Sequence, residues 1–161
     1  MWLSFTRIFS QQPWKNPNNM KITKDRMHLE LFPELEKVCF QIMLESAGKG
    51  GEGFVQRMSK GMDDDWLEYV QPEMLEGFAA ELKLVTADVA AMSSTPGIPL
   101  GHAEAWIGVI NRARMNLVVD TNLSEDMLNA DEPTGTPVQQ RALFLSRMLG
   151  AIQSELVDVC W

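Results

Sequence analysis

Three residues on one stretch of chain are the leading candidates for binding chemistry: His102, Glu104 and Arg114. An imidazole, a carboxylate and a guanidinium can together pass a proton and hold an anion. His102 falls just before a predicted helix and Glu104 in its first turn, while Arg114 lies further along it, beside Asn111 and Arg112. His102 and Glu104 are two positions apart, so they do not share a helical face. Arg114 stands one step off the apolar stripe from Ala113 to Leu117, at the edge of the expected core. There it is expected to clamp neighbouring helices through a carboxylate or backbone carbonyls, and the alternative is an anion pocket shared with Glu104 and His102. Trp106, Asn111 and Leu82 are read as structural residues.

Other motifs fail their context. Gly48, Gly50 and Gly53 spell the G-x-G-x-x-G string, but a helix leads into it where a dinucleotide site needs a strand, and no Lys-Ser/Thr follows. A flexible interhelix loop is the better reading. Asp63, Asp64 and Asp65 lack the alternate spacing, turn glycine and closing glutamate of a calcium loop, so they are read as a helix start, where acids favour the dipole. His28 and His102 belong to no His-x-x-x-His or Glu-x-x-His pair. Cys39 lies on an apolar stripe and reads as a small buried hydrophobe, whereas Cys160 reads as exposed. Met58, Met62, Met74 and Met92 either fill a core or furnish an adaptable surface, and we favour the core. No catalytic residue, metal or cofactor is expected.

The elements that position these residues follow from periodicity. Ile22, Met27, Leu29 and Leu31 alternate around Lys24-Asp25-Arg26, which predicts a small hairpin lying on helices. Pro33 opens a helix carrying Leu35, Val38, Cys39, Ile42 and Met43, expected to stop near Ser46. Asp63 to Tyr69 predicts a short helix. Pro72 opens a long one to about Ser93, with a seam of Leu75, Phe78, Leu82, Val85, Val89 and Met92 at steps of three and four. A loop from Ser94 to Gly101 leads to the helix marked by Ala103, Trp106, Ile110, Ala113 and Leu117. Ser124 caps a short turn. The last helix runs from about Val138 to Val159, with Leu145, Met148, Leu149, Ile152, Leu156 and Val159 facing inward. The fold class is therefore mainly α: a helical bundle with a small N-terminal β-hairpin, in one domain over 20–161. Residues 1–19, with two prolines and three asparagines after a short apolar opening, read as a flexible extension. They lack the features of a signal peptide, and Met20-Lys21 is itself an expected alternative start of translation.

The 161 residues fit one ordinary domain, and 45% apolar composition supplies a core. Residues 1–62 carry nine basic and six acidic side chains, and residues 63–161 carry five and sixteen, for a net charge of −8. An acidic body argues against nucleic acid and anionic membrane as partners and for a basic or apolar protein surface. Two cysteines are too few for a disulfide scaffold, which points to a reduced, cytoplasmic setting.

Glu104-Ala105-Trp106-Ile107 followed by Asn111 and Arg114, together with the segment from Met148 to Leu156, resembles a bacterial family of domains of unknown function, the one numbered two thousand and seventeen. The resemblance spans about residues 20–159 and is strongest over 100–159. Members of that family usually carry a Gly and a second Arg after the position of Arg114. Val118 to Asn122 departs from this, so no role for a second Arg carries over. The family has no established activity. The frequent placement of its genes near the adaptor of the Clp protease implies a link to regulated proteolysis by association. The function expected is a non-enzymatic interaction or regulatory protein that binds a protein partner or a second copy of itself. The alternative is a small-molecule or anion-binding protein, or an enzyme, with a pocket near Arg114.

Overall fold

The computed structural model describes residues 20–31, 33–49 and 51–161, so the extension expected at 1–19 lies outside the described residues. The chain starts with β1 (Met20–Ile22) and β2 (Arg26–Leu29), paired antiparallel as the hairpin predicted from sequence. A third strand, β3 (Ile98–Pro99), joins the other edge of β2, with Met27 opposite Ile98. Sequence gave no sign of β3, because two residues inside a Pro- and Gly-rich stretch show no period. Met27 and Ile98 are fully buried and pin the small sheet onto the helices.

The helices are α1 (Pro33–Lys49), α2 (Gly51–Ser59), α3 (Gln71–Ala91), α4 (Ala103–Asp120), α5 (Glu125–Asn129) and α6 (Pro137–Cys160). The expected stop near Ser46 is corrected: α1 continues through Gly48, and Gly53 lies in α2, so the glycine string is largely helical rather than a loop. The inward face of α1 is also rotated from the one expected. Cys39, Phe40, Met43 and Ala47 are buried, while Val38 and Ile42 are exposed. A π-helical turn, Trp66–Val70, leads straight into α3, with the Gln71 N–H bonded to the Trp66 carbonyl.

Helix α4 is the hub and packs on α1, α3 and α6. That is why it buries Trp106, Val109, Ile110, Ala113 and Leu117 on one side and Arg112 and Asn116 on others. Trp106 meets Phe40 of α1 edge to face, with ring centroids 5.2 Å apart. In α6 the run Ala142–Ser146 is buried throughout, and Met148, Leu149, Ile152 and Leu156 continue the core, but Val159 is exposed, contrary to expectation. Thr136 and Gln139 form a capping box before Pro137, and Ser124 accepts a bond from the Met127 N–H as predicted. Along the α3 seam only Val85 is fully buried; Leu82, Val89 and Met92 pack partly on the core.

Candidate functional site

The α3–α4 seam carries the most organised polar cluster. The Asp88 carboxylate, on α3, lies 2.9 Å from His102 Nδ1 and accepts a bond from Trp106 Nε1 at 2.9 Å. His102 ends a turn of 3-10 helix, Leu100–His102, and stands at the N-cap of α4 without bonding the helix, which leaves its ring free for Asp88. Trp106 is fully buried, so its indole N–H fixes the carboxylate from the core side. A carboxylate only accepts, so the hydrogen between Asp88 and His102 sits on Nδ1. In the neutral ring Nε2 is then an acceptor.

One helical turn pair further on, Arg112 is buried on the same seam. Its Nη1 donates to Glu81 Oε2 at 2.6 Å and its guanidinium stacks 4.1 Å from the Phe78 ring centroid. Gly108 makes room for this pair, because a Cβ there would stand 2.5 Å from Glu81 Oε2.

His102 and Glu104 are brought together on one cleft of about 420 Å³, whose wall also holds Glu81, Leu84, Leu100, Cys160 and Trp161. Arg114 is not part of it. Ten residues of helix separate Glu104 from Arg114, roughly 15 Å along the axis. Arg114 turns instead to α6, where Nη1 donates to Gln153 Oε1 at 2.8 Å. The expected carboxylate partner is absent among the described residues, and Nε is buried with no acceptor. Burial accordingly pulls the Arg114 guanidinium below its ordinary value. Its head lies across Gly150, where an added Cβ would stand 3.0 Å from Cζ.

The remaining assignments divide in the same way. Trp106 is core, Leu82 is half-buried against α1 near Gly48, and Asn111 is exposed, which corrects its structural role. Asp63 caps the turn that follows it, Oδ1 accepting from the Trp66 N–H at 3.0 Å, and no group of three metal-ligating side chains exists among the described residues. Cys39 is buried, and burial, reinforced by Glu36, pushes its thiol up to about 12. Burial also raises Glu36. Cys160 is exposed, as expected. Met92 packs on the core, but Met58 and Met62 are exposed, against the reading of all four methionines as filling.

Sequence reasoning misses Asp88, Glu81 and Asn116, and it gives Arg112 no role of its own. Glu81 and Asp88 lie seven apart beside Val85, and two acids on the flank of an apolar seam are a signal for partners on the facing helix. Asn116 is buried, donates to the Ser46 carbonyl and accepts from Arg57 of α2, with no such pattern to announce it.

A second recess, of about 480 Å³, lies at the corner between α2 and α3, lined by Gln56, Arg57, Ser59, Lys60, Leu67 and Gln71. Ser59 Oγ fastens the corner by accepting from Trp66 Nε1 at 3.1 Å and Gln71 Nε2 at 3.4 Å.

No family model, curated protein or solved structure matches this chain. Among the described residues no helix is long and apolar enough to cross a membrane.

Proposed function

We propose that this chain is a non-enzymatic interaction protein whose partner docks on the corner between α2 and α3. The observation that carries the reading is the exposure of Met58 (41%), Met62 (48%), Leu67 (42%) and Val70 (36%) along the short segment from the end of α2 to the start of α3. Single exposed hydrophobes are ordinary, but several within one short segment point to a contact surface. Arg57 and Lys60 border Leu67, and the exposed Asp63, Asp64, Asp65 and Glu68 flank it in sequence, so the surface suits an apolar protein segment, on another protein or a second copy. The family resemblance over residues 20–159 extends the proposal: the partner belongs to regulated proteolysis, in the cytoplasm, with no nucleic acid or membrane engaged.

The test is co-purification with the wild-type chain and with Met62→Glu/Leu67→Glu. Both side chains are exposed, so the variant should melt like the parent and lose its bound protein. Equal retention by the folded variant contradicts the reading.

A second reading, a small-molecule-binding protein or an enzyme, is supported by the fixed Asp88–His102 pair on the cleft. Arg114 takes no part in that version, because it faces α6.

A further inference from the structure

The cleft beside His102 shows a ligand several hydrogen-bond acceptors and no strong cation. His102 is oriented from behind. Asp88 accepts the hydrogen bond from its Nδ1–H, and the buried Trp106 indole holds Asp88 in place. Among the described residues nothing bonds Nε2, and the His102 side chain is 39% exposed on the cleft wall. Glu104 is exposed on the same wall. Arg112 holds one oxygen of Glu81, which leaves the other as a further acceptor. Among the described residues, neither lysine nor arginine lines the cleft. Arg112 neutralises Glu81, but Glu104 has no basic partner among the described residues, so an anion would meet an uncompensated carboxylate there, whereas a cation with several N–H donors would satisfy it and the neighbouring acceptors.

Shape and surface agree with this polarity. About 420 Å³ lies within the ordinary range for small-ligand sites and holds the head of an amine or guanidine, with room for its alkyl chain along Leu84 and Leu100. Trp161, 71% exposed, adds an aromatic ring to the wall, and ring faces attract organic cations.

We propose that this cleft binds a small organic cation, a primary ammonium or guanidinium group, through His102 Nε2 and the Glu104 carboxylate with the Trp161 ring alongside. The proposal rests on the second reading above, that the cleft is a binding site, and is independent of docking at the α2–α3 corner. The cation arrives either as a free amine or as a basic side chain of a peptide.

The experiment is NMR titration of the full isotope-labelled chain with agmatine, with Nα-acetyl-lysine methylamide, and with propionate and n-butanol as anionic and neutral probes. Saturable shifts at the His102 ring and the Trp161 indole are expected with at least one of the two cations. Agmatine alone would identify a free amine, and the lysine derivative alone a peptide side chain. Glu104→Gln, an exposed change that spares the fold, should weaken binding about tenfold, the size of one lost charge-assisted bond. Trp161→Ala should weaken it as well. Unchanged affinity in Glu104→Gln overturns the proposal. Shifts at the same signals with propionate or butanol overturn the cationic class while keeping the cleft as a site. No shift there with any probe overturns both the proposal and the reading beneath it.

Discussion

Arg112 and Arg114 leave α4 two residues apart, about 200° around the helix, and enter opposite surroundings. The α3 side of α4 completes its polar groups: Arg112 with Glu81 and the Phe78 ring, His102 and Trp106 with Asp88. The α6 side leaves Arg114 with one amide oxygen and an orphaned Nε. Desolvating a guanidinium is tolerable when a carboxylate and an aromatic face replace water, and it is a net cost when they do not. The α3–α4 seam is therefore the fixed frame on which the cleft is built, and Arg114 is a tolerated polar residue at a helix contact.

The sharpest way to break that contrast is to unpair Arg112. Glu81→Leu leaves its guanidinium buried without a carboxylate and should cost about 3 kcal/mol, the low end for a broken buried pair because Glu81 is a third exposed. Thermal unfolding should shift down by roughly 6–12 °C. Adding Arg112→Met should recover much of the loss. Equal melting of Glu81→Leu and the parent would show that the pair does not hold the seam.

Arg114 should behave differently. Arg114→Met keeps the stem's packing on Gly150 and removes the orphaned Nε, so stability should move by no more than about 1 kcal/mol in either direction. A loss as large as that of Glu81→Leu would erase the distinction between the two sides.

What the sequence revealed follows the same division. The apolar stripe Ala103, Trp106, Ile110, Ala113 and Leu117 announced α4 because its period is local. The caps at Ser124 and Thr136 obey rules written within four residues. The stripe of α1 points to Val38 and Ile42 rather than Phe40, since a helix of mixed apolar positions fixes its inward face only through its neighbours. The choice of Arg114 over Arg112 erred for a similar reason. Both flank the stripe, and Glu81, which decides between them, sits 31 residues away. Asp88 reaches His102 across 14 residues and a strand that no pattern predicted.

A smaller effect separates the two cysteines. The Cys39 thiol is held up to about 12 from an ordinary 9.0, so between those values the unfolded chain releases the proton and the folded chain keeps it. This group's contribution to stability should accordingly fall as pH rises from about 9, and Cys39→Ala should remove that share of the slope. Native-state alkylation should mark Cys160 and spare Cys39 until the chain unfolds, as read by mass spectrometry. Equal labelling of both would contradict the burial of α1.

The measurement that bears most directly on the central claim, a seam that presets His102 as an acceptor facing the cleft, is long-range proton–nitrogen NMR of the His102 ring in its neutral form. The account predicts one protonated nitrogen, Nδ1, with its hydrogen protected by Asp88, and an unprotonated Nε2. In Asp88→Asn the amide can turn its N–H₂ to the ring, and the preference for Nδ1–H should weaken or reverse. A parent ring that carries its hydrogen on Nε2 would contradict the account, because the cleft would then present a donor where an acceptor is claimed.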